Sequence, residues 1–267
     1  YISNFYYKFM DSIESRGTVL NTGKLMKDTF IDYRKELLDV KPFMNSKIYN
    51  AEYFKNVMAS FEGNHMSFYT PPIQILEACM TDARHKPIMA LQDKSLRCVD
   101  SVCELIINLL RNITLQEEFA QFPNMASNIM ASLIDEIISK NKEKSKLQIN
   151  ELLKKESEYI WTDSGEFVKD LAQVTKTGTF DLTVMIKFLE GYFSAVKNIV
   201  SHSVPKIVMS NVIRDMESSI LSFLLHTTVT EDKICLLAQH PEIEKQRAYY
   251  SDLKQRVLTI KKGFKTN

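Results

Sequence analysis

The stretch Gly17-Thr18-Val19-Leu20-Asn21-Thr22-Gly23-Lys24-Leu25 holds two glycines followed by a lysine, the ingredients of a loop that cradles nucleotide phosphates. That loop needs four residues between its glycines, so that backbone N–H groups wrap the phosphates, and a Ser or Thr after the Lys to hold magnesium. Here the spacer is five residues long and Leu25 stands where the hydroxyl belongs. Such a loop also follows a buried strand, whereas Phe5, Phe9 and Ile13 recur at the four-residue spacing of a helix. The stretch is better read as a helix stop at Gly17, in the left-handed conformation glycine tolerates, with a fresh segment starting after Gly23.

Other catalytic patterns fail on spacing as well. The five histidines, His65, His85, His202, His226 and His240, form no H-E-x-x-H or H-x-x-x-H group, so no metal site is expected. No G-x-S-x-G elbow supports a serine nucleophile. Helical prenyl-diphosphate enzymes need clustered aspartates to bridge magnesium and diphosphate, and no Asp-Asp pair occurs. The four cysteines, Cys79, Cys98, Cys103 and Cys235, lack C-x-x-C spacing and lie in apolar helical patterns, as buried reduced thiols would. No catalytic residue, metal ligand or cofactor-binding residue is therefore assigned.

The elements that would position any site are helical. Only 7 Gly and 7 Pro in 267 residues leave few turn formers, while 45% hydrophobic and 25% charged residues suit long amphipathic helices. A net charge of +1 gives no global field toward nucleic acid. No apolar run approaches the roughly 18–20 residues that cross a bilayer, so any membrane association is expected to be peripheral. Helical spacing is seen in residues 1–16, in 24–39 with Leu25, Phe30, Tyr33 and Leu37 or Leu38 on one side, and in 50–61 behind an Asn50 cap.

From Ile73 to Asn112 the pattern is nearly continuous, broken at His85-Lys86-Pro87. Another helix starts at Phe122-Pro123 and runs through Met125, Ile129, Leu133 and Ile137, and INELLKKESEYIW forms a further one, with Trp161 near its end read as a buried plug in preference to an interface anchor. Residues 162–180 lose periodicity and read as a loop. A stripe from Leu182 to Val204 continues past Pro205 to Leu225, and a last pair, about 230–239 and 241–262, offers Ile243, Tyr250, Leu253, Val257 and Ile260. If Pro205 only kinks it, the helix from 182 is close to 70 Å long, against about 45–50 Å for a compact globule of this size. The expected fold is all-α, an elongated antiparallel helical bundle.

At Lys94-Ser95-Leu96-Arg97-Cys98-Val99-Asp100-Ser101-Val102-Cys103-Glu104-Leu105 the sequence resembles the dynamin superfamily, whose stalk carries a P-S-L-[KR]-C-V-x-x-V-x-x-E-L-like helix. Glu118 to Pro123 looks like that family's following F-P helix start, and Glu158-Tyr159-Ile160 like the beginning of its E-x-x-Y-I-N-T-x-H-P signature. Trp161 to Phe167 then departs, lacking the Asn and the His-Pro. Tyr192-Phe193-Ser194-Ala195-Val196 and Val204-Pro205-Lys206-Ile207-Val208-Met209 are similar to the dynamin GTPase effector domain.

The resemblance implies a division into stalk helices over 1–161, a loop at the family's variable insert over 162–180, and effector-domain helices over 181–267. It implies no enzyme in this chain, with GTP and Mg bound by a GTPase domain of the parent that precedes Tyr1. It further implies a stalk that dimerises crosswise and polymerises around a membrane neck. Gly63, Asn64 and His65 align with the loop that joins dimers, and Ile213 with the helix that supports the central crossing; an ordinary turn and a core residue remain the alternatives. Expected partners are other copies of the chain, the parent's GTPase domain and a membrane reached peripherally or through adaptors, from the cytoplasm, without nucleic acid. A non-polymerising tethering or adaptor rod, binding partner helices through Met-rich grooves, is the competing reading.

Overall fold

A computed structural model describes residues 2–14, 21–61, 72–115, 122–162, 164, 165, 167, 169, 172, 182–228 and 241–263. The Gly17 helix stop, the Gly63-Asn64-His65 turn, Glu118, Cys235 and the expected helix at 230–239 lie outside them. Among the described residues there is no strand. In order come α1 (Ile2–Glu14), α2 (Thr22–Leu38), a 3-10 turn (Pro42–Met44), α3 (Ala51–Ala59), α4 (Pro72–Met80), a second 3-10 turn (Pro87–Leu91) and α5 (Gln92–Thr114). They are followed by α6 (Pro123–Ser132), a π segment (Leu133–Ile138), α7 (Ser139–Glu158), α8 (Leu182–Val208), a second π segment (Met209–Arg214), α9 (Asp215–Thr228) and α10 (Pro241–Gly263).

The helix boundaries follow local chemistry. Asn50 Oδ1 accepts the N–H of Tyr53 at 2.9 Å, satisfying one of the donors that a helix start leaves open at α3. Proline stands in the first turn of α6, where its missing N–H costs nothing. The break expected at His85-Lys86-Pro87 is present: Lys86 has φ 43°, a left-handed conformation rare for a side chain of this size, and Pro87 begins the second 3-10 turn. Pro205, by contrast, lies inside α8, and the chain stays helical from Leu182 to Thr228.

The chain divides into two compact units. One comprises 1–24, 104–140 and 215–267, where α1 packs on α9 and α9 packs on α6 and the π segment after it. Phe5, Phe9 and Ile13 of α1 and Met216, Ile220 and Leu224 of α9 are its buried stripes. The other comprises 25–103 and 141–214, where α8 packs on α4 and on both 3-10 turns, and α3 on α4. Its core is aromatic, with Phe43, Phe54, Phe188, Tyr192 and Phe193 all fully buried. Each such ring removed from water contributes about 1.5–3 kcal/mol. Phe43 meets Phe193 edge to face at 6.0 Å between centroids.

Several sequence readings change. On α2 the buried face is Met26, Tyr33 and Leu37, and Leu25 is 51% exposed, because the 3.6-residue period passes through position 26. Trp161 is no buried plug: it is 66% exposed, lying in a non-helical stretch beyond the end of α7. Within 162–180, Gly165, Phe167, Lys169 and Ala172 are helical, and Phe167 is buried, stacked on Phe188 at 5.0 Å. Surrounding Ser, Thr and Gly hide that helical propensity from a composition argument.

Candidate docking and assembly surfaces

Several of the described polar groups bind one another. Lys197, in the apolar run of α8 and 4% exposed, donates from Nζ to the carbonyls of Leu38 at 3.1 Å and Val40 at 3.0 Å, just where α2 ends. A helix C-terminus leaves carbonyls without partners and carries partial negative charge, so a lysine there satisfies both. Glu190, two turns earlier on α8, accepts the N–H of Phe43 at 3.1 Å. Burial pushes the Lys197 ammonium down and the Glu190 carboxyl up, and each is partly restored by the other's charge. The pair clamps the segment after α2 onto α8.

A second polar knot holds the turn after α4. Asp82 accepts from Tyr53 Oη at 2.9 Å and from the N–H of Arg84 at 2.8 Å, and lies 2.9 Å from His85 Nδ1. Burial alone would raise the Asp82 carboxyl, but the hydrogen bonds from His85, Arg84 and Tyr53 outweigh it and hold it at about 2. Lys86 N–H donates to the Asp82 carbonyl at 2.8 Å, which fixes the left-handed residue beside it. A third cluster sets Lys142 and Lys146 of α7 at 2.8 and 2.9 Å from Asp100 Oδ1 on α5.

Burial pushes the thiols of Cys79 and Cys98 up to about 12, leaving little thiolate for chemistry at neutral pH. Among the described residues no group of three His, Cys, Asp or Glu side chains could hold a metal ion, and no helix is long and apolar enough to cross a membrane.

What the described surface does offer is apolar area in particular places. A groove of about 790 Å³ lies between the 80–92 segment and α7, lined by Met80, Met89, Gln92, Asn150, Lys154 and Glu158. Every described side chain of α10 is exposed, including Tyr249, Tyr250, Leu253, Val257 and Leu258. Tyr250, Leu253 and Val257 follow the three-then-four spacing of a coiled-coil seam, which Ile243 and Ile260 continue in the sequence. Arg247, Lys254 and Arg256 take the flanking positions, and Arg256 pairs with Asp252 at 2.8 Å.

Of the four sequence-derived assembly residues, Ile213 lies in the π segment after α8 and is 1% exposed. Gly63, Asn64 and His65 lie outside the described residues. The structure therefore brings none of the four together as a described surface. Lys197 and Asp82 were passed over in the sequence; the one signal for Lys197 was a charge inside the run Phe193, Val196, Val200.

With this geometry in view, comparison with known proteins is decisive. A family model of the dynamin central region matches residues 2–176, and one of the dynamin GTPase effector domain matches residues 177–266. The chain belongs to the dynamin family. No curated protein matches it. The two matched regions make it a dynamin-family stalk, and they meet between 176 and 177.

Many of the dynamin motif residues turn out to be packing residues, although Arg97, Ser101 and Glu104 are exposed. Ser95, Cys98, Val99, Val102 and Cys103 face the interior from α5, with Ser95 Oγ donating to the Leu91 carbonyl at 2.8 Å. Tyr192 and Phe193 are fully buried in α8, and Pro123 opens α6.

Proposed function

We propose that this dynamin-family chain is the self-assembly stalk of a dynamin-related GTPase, which oligomerises into helical polymers that remodel or divide the membranes of organelles or vesicles. The observation that carries the reading is the matched order of central region and effector domain over 2–176 and 177–266. GTP and Mg belong, in this reading, to the GTPase domain of the parent, and the chain works in the cytoplasm, recruited peripherally to membranes or by adaptors. The exposed seam of α10, flanked by Arg247, Lys254 and Arg256, supports a helical partner with acidic flanks, and the parent's GTPase domain is its assigned occupant. Assembly through open, repeated contacts follows when two surfaces on one molecule do not close a ring.

Ile213 enters this scheme from beneath, as a buried residue that supports an assembly face. The test is sedimentation of the chain over a wide concentration range, with Gly63, Asn64 and His65 changed together to alanine. Dimers and larger species, cut back to dimers by the triple change, are expected. A chain that stays monomeric throughout defeats the polymer reading. It would favour the tethering or adaptor rod, to which the groove lined by Met80 and Met89 lends support as an adaptable site for a partner helix.

A further inference from the structure

Two helical runs in this chain bury a residue every four positions. In α8 and α9 the series is Val196, Val200, Val204, Val208, Val212, Met216, Ile220 and Leu224, each no more than 1% exposed. In α6 and α7 it is Met125, Ile129, Leu133, Ile137, Asn141, Ser145, Ile149 and Leu153, each no more than 8% exposed. An α-helix turns once in 3.6 residues, so each step of four slips the buried face by about 40°, or about 280° over a whole series. A straight α-helix with this sequence would carry its stripe most of the way round to solvent.

Both series contain a π segment, Met209–Arg214 in one and Leu133–Ile138 in the other. A π turn bonds each N–H to the carbonyl five residues back and so holds one residue more than an α turn, which returns about 100° of that slip. Its signature is visible in side chains. Asn211, Val212 and Ile213 are all buried although consecutive, and Ser139 N–H and Oγ both donate to the carbonyl of Ile134, five residues back. Each π segment therefore takes up part of the drift of its four-residue repeat.

They also weaken the helices that contain them. Sharp bends in helices occur where the i to i−4 ladder is interrupted, at π bulges and at proline. In the run from Leu182 to Thr228 both interruptions fall within ten residues: Pro205 supplies no N–H to the carbonyl of Ser201, and the π segment follows at Met209. We propose that residues 205–214 are a built-in flexure of this helix, opening and bending while the valine stripe before it and the Met216, Ile220 and Leu224 stripe after it stay packed. The flexure rests on the helix alone, and its test is separate from any assay of assembly.

Amide hydrogen exchange on the whole chain reads it. The stripe residues on the two sides of the segment are equally buried, so a uniform helix predicts protection at 209–214 no lower than that of the less protected flank, whereas the flexure predicts amides of 209–214 exchanging at least tenfold faster than those of 196–204 and 216–224. Deleting Ser210, an exposed residue of the π segment, removes the extra residue without changing the phase of Met216, Ile220 and Leu224. It should leave the chain folded and slow exchange at 209–214 by tenfold or more. Pro205→Ala, which restores a ladder bond without touching the register, should slow exchange over 205–209 in the same direction, by a smaller factor. Protection at 209–214 equal to that of the flanks in the unaltered chain overturns the proposal. So does unchanged exchange in both variants.

Discussion

The segment matched by the effector-domain model contains two helical regions of opposite fate. From Leu182 to Thr228 an apolar repeat is buried along its length, whereas α10 repeats Tyr250, Leu253 and Val257 and buries none of them. The two apolar patterns are equally regular. The difference teaches that periodicity announces an amphipathic helix but says nothing about where its partner is, which depends on what else the chain brings alongside.

The sharpest way to break this contrast is to place a charge on the buried side. Ile213→Asp puts a carboxylate at a position 1% exposed, with no cation assigned to it, and should cost more than about 4 kcal/mol, enough to unfold the unit that contains it. Urea titration followed by circular dichroism checks this, and a stable Ile213→Asp chain with altered sedimentation would instead make Ile213 a contact between copies. Phe193→Ala empties a fully buried site against Phe43 and should cost about 3–5 kcal/mol in the same titration. A loss below about 1 kcal/mol would mean that α8 is no more committed to its core than α10 is.

How far the sequence carried this far into the fold depends on which forces decide each feature. Helix positions, the Asn50 cap, the break before Pro87 and the buried stripe of α8 follow from local spacing and caps, and all were legible. The helical state of Gly165, Phe167, Lys169 and Ala172 was not, because Phe167 is held by Phe188 and Tyr192 from a later helix. The exposure of Trp161 and of the α10 seam was equally hidden, since a large apolar side chain looks the same in a sequence whether or not something covers it. The four-residue repeat was in plain view, but treating any step of three or four as helical concealed the drift that the π segments absorb. Among the candidate assembly residues only Ile213 is described, and its burial follows from packing that its place in the sequence pattern does not reveal.

Smaller effects sharpen the contrast by testing the polar groups that hold the partners of α8 in place. Asp82 lies well below the range of an unperturbed aspartate, so its contribution is present above about pH 4 and is lost as pH falls toward about 2. A shift of this size amounts to about 2 kcal/mol. Asp82→Asn should therefore lower the urea midpoint at pH 6 and approach the unaltered chain near pH 2.5; parallel curves at all pH values would remove Asp82 from the account. Lys197→Met gives up two hydrogen bonds to the carbonyls of Leu38 and Val40 but also removes a buried charge. The opposing effects should leave a net loss of about 1 kcal/mol.

The smallest change in stability belongs to α10, and it is the most informative about function. Leu253 and Val257 are 45% and 56% exposed, so changing both to alanine removes little area that folding had taken from water. Stability in urea should shift by less than about 0.5 kcal/mol, as for ordinary surface positions. The same double change should nonetheless weaken capture of the helical partner by tenfold or more, because a seam of this kind derives its affinity from the same apolar positions, while the basic flanks contribute mainly to the choice of partner. Reversing the charge at Lys254 with Glu would separate the two roles: binding to an acidic-flanked helix should fall and become less sensitive to salt, with stability again unchanged. If instead the alanine pair destabilises the isolated chain by 2 kcal/mol or more, α10 is packed in solution, and the contrast between the two regions is a difference of degree.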